Sequence, residues 1–192
     1  TKLNLWRMTQ FKKLLYIDAD CLVQGSVEHL FTRKTSFAAA PDTFPPDRFN
    51  AGVLLLEPSL EVFRSMYEAF PTLKTYDGGD TGFLNAYFSN WYSSDAESRL
   101  PFGCNALRTM YWMTHKKPGY WEAAEPHTIL HFCSYPKPWD QAPKGPLERV
   151  WWVQFAMTQL TLKMRGLNLT TPPAQEHKGS QEPETLALHS DP

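Results

Sequence analysis

The chain has 192 residues, 42% of them hydrophobic and 20% charged, with a formal net charge of -1. This is an ordinary globular composition, long enough for one domain with a sizeable core, and its near-neutral charge gives no electrostatic reason to expect a nucleic-acid or anionic-membrane partner. No apolar run approaches the ~18 residues of a membrane span, and three scattered cysteines, Cys21, Cys104 and Cys133, fit free, mostly buried thiols better than a zinc site or a disulfide framework.

The chain opens on TKLNLWRMTQ, without an initiator methionine or a signal-peptide pattern, so a preceding segment is expected. Residues 2 to about 12 place Leu3, Trp6 and Gln10 on one side and predict a helix. KLLYI then reads as a strand buried on both faces, the kind found in parallel sheets. SFAAAPD and FNAGVLLLEP are further strand candidates, the second ending at Pro58. Ser59 is placed to cap the helix SLEVFRSMYEAF, whose Leu60, Phe63, Met66, Tyr67 and Phe70 recur at helical spacing. YDGGD is a glycine turn into TGFLNAYF, helical by its Phe83, Leu84, Tyr87 and Phe88. PHTILHF is a late strand candidate, and LERVWWVQFAMTQL reads as a closing helix with a broad aromatic face. Beyond about residue 167 the chain is rich in Pro, Ser, Thr and charge and is expected to be disordered. Strands alternating with helices predict an α/β layered domain.

The residues that carry chemistry start at YIDAD. A strand's carboxyl end is where open α/β sheets bind ligands, and in an extended chain Asp18 and Asp20 face the same way. Two such carboxylates repel unless a cation or proton lies between them, and oxygen ligands suit Mg²⁺ or Mn²⁺. Two alternatives stand beside this. The aspartates can simply cap backbone N–H groups at a strand-end loop. A phosphohydrolase of the haloacid-dehalogenase type also begins with an apolar strand and D-x-D, but it expects a hydroxyl residue where this chain has Leu22.

DRFNAGVLLLEPS, YDGGDTGFLN and ILHFCSYPKPW follow in that order. With TKLNLW and YIDAD they make the chain resemble the glycogenin-like branch of glycosyltransferase family 8 over about residues 1 to 140. The resemblance implies a GT-A type α/β fold, a mostly parallel sheet with helices on both faces, lacking its N-terminal βαβ portion. Residues 1–166 would be the partial catalytic domain and 167–192 a polar tail. The activity implied is retaining, Mn²⁺-dependent (or Mg²⁺-dependent) transfer of a hexose or hexuronic acid from a UDP-sugar to a carbohydrate, lipid or protein acceptor. A homodimer, and either the cytoplasm or the Golgi lumen, is compatible with it. One rival belongs to another class: an inactive remnant kept as a binding domain, since the family builds its uracil pocket largely from a preceding βαβ segment.

Carried over residue by residue, the resemblance makes Asp18, Asp20 and His131 the metal ligands and Lys137 the cation on the diphosphate. A histidine at a strand end is otherwise more often a satisfied core residue. Lys2 stands where the family has a lysine near the donor sugar, Ala19 offers backbone to the ribose, and Asn50 matches an asparagine on the donor sugar. Ala51 replaces a usual serine, Ser134 a glycine beside the diphosphate, and Thr81 a glutamine. Asp77 and Asp80 match the carboxylates nearest the reacting sugar. Asp80 is the expected group beside the anomeric carbon, although it also falls where a helix N-cap belongs.

Glycogenins glucosylate one of their own tyrosines. Counted forward from Asn105, that position falls on Trp112, with Tyr111 one residue away, in a segment read here as extended and about two residues longer than in glycogenin. Tyr111, Trp112, Tyr120 and Trp121 are expected to be packing residues, with Trp112 and Trp121 as an alternative platform for an acceptor sugar. Transfer to a separate molecule is therefore expected. Asn168-Leu169-Thr170 fits a glycosylation sequon, which bears only on a secreted chain.

Overall fold

The computed structural model describes residues 2–43, 45, 47–115, 119, 121–143 and 145–167. Tyr120, the sequon at residues 168–170 and the tail beyond it lie outside the described residues. The chain divides into two compact units, Thr1–Lys137 and Pro138–Pro192.

The first unit is built on β1 (Leu14–Ile17), β3 (Phe37–Pro41) and β4 (Phe49–Leu56), in the order β1-β4-β3. Leu14 faces Leu56 and Ile17 faces Val53, while Phe37 and Ala38 face Leu56 and Leu55. β4 is central and has apolar cover on both sides, so its sequence is a continuous apolar run rather than an alternating one. Phe49, Ala51, Leu54 and Leu56 join Trp6, Met66, Phe83 and Leu84 in one core. Val53 and Leu55 point to the other face, with Leu30, Leu100, Cys104 and Ile129.

The expected α/β domain is present, but two features differ from the expectation. Among the described residues, three of the four strand pairings are antiparallel, not mostly parallel. A buried apolar run reports burial on both faces and says nothing of direction. Direction follows the connections, and the seven residues between β3 and β4 are too few for a parallel crossover. Nor do α-helices cover both faces. α1 (Leu60–Ala69) and α2 (Asp80–Tyr87) supply the first core, whereas 3-10 turns at Glu28–Thr32 and Phe102–Asn105 cover the second.

A second sheet orders β2 (Cys21–Val23), β6 (Ile129–His131) and β5 (Ala106–Leu107). Cys21 pairs antiparallel with His131, and Leu107 parallel with it. α3 (Arg108–Thr114) follows β5 directly, so the segment expected to be extended is helical. The helix expected over residues 2 to 12 is a 3-10 helix ending at Arg7. Ser59 caps α1 as expected, its hydroxyl accepting from Val62 N–H at 3.3 Å.

The second unit holds α4 (Pro146–Met164), with proline in its first turn. The expected aromatic face is there: Trp151 stacks on Phe155 at 5.1 Å and lies 5.5 Å from Trp139. Among the described residues, no helix is long and apolar enough to cross a membrane.

Candidate active site

β1 and β2 belong to different sheets, and the D-A-D motif is the turn between them. Cys21 N–H donates to Asp18 C=O at 3.1 Å and Asp18 N–H to Gly52 C=O at 2.8 Å. The turn cancels the alternation of an extended strand, so the two aspartates take different partners instead of sharing a face.

Asp18 faces the N-terminal 3-10 helix. Its carboxylate accepts from Tyr16 Oη at 2.6 Å and from Lys2 Nζ at 3.1 Å. Lys2 also donates to Ala51 C=O at 2.9 Å and pairs with Asp80 at 2.8 Å. One ammonium thus joins the D-A-D turn to the start of α2. Burial and the Asp18 carboxylate together push the Tyr16 phenol well above its ordinary range, so it stays a hydrogen-bond donor. An open cavity of about 210 Å³ lies beside Lys2 and Asp80, walled by Phe70 and Phe83.

Asp20 faces the other way, toward Lys137 Nζ at 2.6 Å and His131 Nε2 at 3.3 Å. Burial raises its pKa, but the contacts with His131 and Lys137 prevail and hold the carboxyl well below the usual range. The tautomer of His131 follows from a chain of contacts that starts at a backbone donor. Gly52 N–H donates to Asn50 Oδ1 at 2.9 Å, so that atom is an oxygen. Asn105 Nδ2 donates to the same oxygen at 3.0 Å, which turns Asn105 Oδ1 to His131 Nδ1 at 2.8 Å. Nδ1 therefore carries a proton, and Nε2 is the ring nitrogen that faces the Asp20 carboxylate. Such an approach requires a cation or a proton between the two atoms.

Asp20, His131 and Cys21 hold ligand atoms within 4.8 Å of one another, which is the candidate metal group among the described residues. Burial, then the Asp20 and Asp18 carboxylates, push the Cys21 thiol up. Asp18 lies outside this three-residue group.

At the start of α2 the capping role falls on Asp77 rather than Asp80. Asp77 Oδ1 accepts from Gly79 N–H at 2.8 Å and Asp77 Oδ2 from Gly82 N–H at 2.9 Å. A Cβ on residue 82 would stand 2.0 Å from Asp77 Oδ1, so any larger residue there displaces the capping carboxylate. Asp80 is the first helical residue and half exposed, with its carboxylate on Lys2. Thr81 Oγ1 accepts from Ala51 N–H at 3.4 Å, and buried Asn85 bonds both Phe49 N–H and Phe49 C=O, fixing α2 to β4.

The segment after β6 is held at several points. Phe132 N–H donates to Asp20 C=O at 2.9 Å, and Lys137 Nζ to Phe132 C=O at 3.0 Å. Ser134 is the one described non-glycine residue with positive φ, at 65°, and Arg108 donates to its carbonyl and to that of Cys133.

Of the residues singled out from sequence, Lys2, Asp18, Ala51, Asp80 and Thr81 come together in one cluster, and Asp20, His131, Lys137, Asn50 and Ser134 lie along the other. Ala19 is the exposed tip of the turn. Sequence reading missed Tyr16, Cys21, Asn105 and Arg108 as site residues. Asn105 and Arg108 are polar residues in the otherwise apolar FGCNALR stretch, the one signal that marks them.

The acceptor segment also differs from expectation. Trp121 is buried and meets Phe102, Tyr111 and His127, which excludes it from an open sugar platform. The packing role expected of Tyr111 and Trp121 holds. Trp112 is partly exposed, with the Arg108 guanidinium 4.3 Å from its ring centroid.

A family profile described as "Glycosyl transferase family 8" matches residues 1–142. Glycogenin-1 of Caenorhabditis elegans is 40% identical over 139 residues, covering 72% of this chain and 32% of that protein. Inositol phosphorylceramide glucuronosyltransferase 1 of Arabidopsis thaliana is 32% identical over 159 residues, covering 73% and 28%. The chain thus spans about a third of the length of the curated relatives it matches. Among solved structures, the glycosyltransferase GlyE of Streptococcus pneumoniae TIGR4 superposes with a TM-score of 0.63 at 23% identity, covering 88% of this chain and 47% of that one. The galactosyltransferase LgtC in complex with donor and acceptor sugar analogs gives 0.58 at 23% identity, covering 86% and 69%. The fold is of the GT-A glycosyltransferase type.

Proposed function

The chain belongs to glycosyl transferase family 8, and from that premise we propose that it transfers a hexose or hexuronic acid from a UDP-sugar to a separate acceptor. The reaction retains anomeric configuration and depends on Mn²⁺ or Mg²⁺. The observation that carries this reading is the convergence of His131 Nε2 and the Asp20 carboxylate at 3.3 Å, with Nδ1 held by Asn105, an arrangement that takes a proton or a cation between the two atoms. The donor set is chemically suited: carboxylate oxygen and imidazole nitrogen serve Mn²⁺ well. Asp20 and His131 would hold the ion, with Asp18 at the other end of the turn as the third ligand the family pattern names. A bound ion supplies Lewis-acid neutralisation of the charge that builds on the departing diphosphate.

The chain's own residues do the rest. Lys137 leaves Asp20 for the diphosphate and holds it as a point charge. Lys2 keeps Asp18 and Asp80 in register, so the carboxylate beside the sugar and the turn beside the phosphates move as one. Asp80 lies beside the anomeric carbon and stabilises the positive charge that develops there. Asp77 holds the first turn of α2, and with it Asp80, by its bonds to Gly79 and Gly82. Asn50, Ala51 and Thr81 shape the sugar pocket, Ala19 offers backbone to the ribose, and Ser134 lines the phosphate side. Its relatives include glycogenins and a glucuronosyltransferase, which leaves both neutral and acidic hexoses in play.

The test is UDP release by the full chain with Mn²⁺, screened over UDP-glucose, UDP-galactose and UDP-glucuronic acid. Turnover with one donor, together with at least a tenfold weaker UDP affinity in Lys137→Ala, supports the reading. Absence of both UDP binding and UDP release overturns it. Binding without release would identify a nucleotide-sugar binding module instead.

A further inference from the structure

Arg108 is 1% exposed, a cation placed in the interior at the first turn of α3. Its Nη2 donates to Cys133 C=O and to Ser134 C=O, both at 2.9 Å, and its guanidinium lies 4.3 Å from the Trp112 ring centroid and 5.9 Å from that of Phe132. Taking a guanidinium out of water is costly unless its donors are used. Here Nη2 serves two successive carbonyls of one loop.

That loop contains an unusual backbone conformation. Ser134 has φ 65°, in the left-handed region that is unfavourable for an L-residue and suits glycine. The Ser134 hydroxyl bonds the Cys133 carbonyl as well. The peptides on both sides of Ser134 are trans, so each N–H points opposite to its carbonyl. With both carbonyls drawn to Arg108, the N–H groups of Ser134 and Tyr135 are turned away from it together. Successive amides presented on one side form an anion-binding surface.

We propose that Arg108 is a positioning residue for the diphosphate loop. It holds the left-handed turn at Ser134 that a glycine would adopt freely, and so presents the Ser134 and Tyr135 amides to phosphate oxygens. The proposal rests on the reading of this site as a nucleotide-sugar site. It goes beyond that reading by assigning a coupled pair, one buried and one exposed, separated by 26 residues in sequence.

The coupling is tested by a double-mutant cycle on the full chain with Arg108→Met, Ser134→Gly and both together. Two quantities are read in each protein: UDP affinity by calorimetry with Mn²⁺, and thermal unfolding without nucleotide. Arg108→Met is expected to weaken UDP about tenfold, and adding Ser134→Gly to recover about fivefold of that loss, because glycine needs no clamp. The unfolding cycle should be non-additive in the same sense. Arg108→Lys, which has a single ammonium for two carbonyls, should fall between, and it carries the cycle if Arg108→Met fails to fold. Additive effects in both readouts overturn the coupling while leaving the site assignment intact. Normal UDP affinity in Arg108→Met overturns the positioning role. Non-additive unfolding with no UDP affinity in any protein, the parent included, overturns the phosphate role and the site reading together.

Discussion

His131 Nδ1 lies 2.8 Å from Asn105 Oδ1, and this contact decides which ring nitrogen faces Asp20. Asn105 is fully buried, so its orientation is set by its partners and not by solvent. Asn105→Ala removes the acceptor and lets either tautomer form. Outer partners of this kind are worth roughly 10–100-fold in metal affinity. We expect Asn105→Ala to weaken Mn²⁺ by that factor in the presence of UDP, and Asn105→Asp, which keeps an acceptor, to retain most of the affinity. Titration followed by Mn²⁺ paramagnetic resonance decides the matter. Parental affinity in Asn105→Ala would remove Asn105 from the site.

Much of this site was legible because its parts are short motifs with local meaning. D-A-D marks a strand end, D-G-G-D a glycine turn into a helix, and a histidine followed six residues later by lysine marks the far side. What could not be read is how the turn divides the aspartates. Alternation holds only while a chain stays extended, and the Cys21 N–H to Asp18 C=O bond ends it. Position in the sequence points to Asp80 as the cap, whereas Asp77 reaches across Gly78 and Gly79 to take that role. α3 escaped because residues 108–114 carry no apolar stripe. The helix is set by Arg108 reaching Cys133 and Ser134 and by aromatic contacts at long sequence separation. Strand direction is hidden for a related reason, since burial leaves a trace in the apolar run and direction leaves none.

Asp20 links the site to pH. Its carboxyl titrates below its ordinary value of 3.8 in the folded chain. A depressed pKa contributes stability that is present above the unfolded value and lost as pH falls toward the folded one. Asp20→Asn should therefore destabilise at pH 7 by on the order of 1–3 kcal/mol, as expected for losing charged hydrogen bonds. The gap to the parent should narrow once pH drops below about 4. Urea melts at pH 7, 5 and 3.5 measure it. A gap that is constant across this range, or wider at low pH, contradicts the assignment.

Two glycines lie against the His131 and Asp77 side chains. A Cβ on residue 52 would stand 2.3 Å from His131 Cε1 and 2.5 Å from Nδ1, so Gly52→Ala must displace the imidazole. On residue 82 it would meet Asp77 Oδ1 at 2.0 Å and displace the cap. We expect Gly52→Ala to lose Mn²⁺-dependent UDP binding by at least about tenfold. Gly82→Ala should cost about 1–2 kcal/mol of stability through the lost cap and lower turnover, with UDP binding affected less. Calorimetry and unfolding on both variants separate the outcomes. Equal losses of UDP affinity would mean that the two clusters do not act separately.

Tyr111 gives the acceptor prediction its physical form. Its ring stacks on His115 at 5.1 Å and meets Trp121 edge-to-face at 5.3 Å, within α3, whose first residue Arg108 donates to Ser134 C=O. On a helix a one-residue slip turns a side chain by about 100°, so Trp112 and Tyr111 cannot exchange roles by a small adjustment. A tyrosine acting as acceptor must also bring its hydroxyl to the donor, and here that would break both ring contacts, each worth roughly 0.5–1.5 kcal/mol. We therefore expect no self-glycosylation. After incubation of the full chain with UDP-glucose, Mn²⁺ and an added acceptor, the intact mass of the chain should be unchanged while UDP is released and the hexose passes to the acceptor. Tyr111→Phe should keep that transfer and nearly all stability, because phenylalanine preserves the ring contacts. A ladder of added hexoses that vanishes in Tyr111→Phe would make Tyr111 the acceptor after all, and would require α3 to open during the reaction.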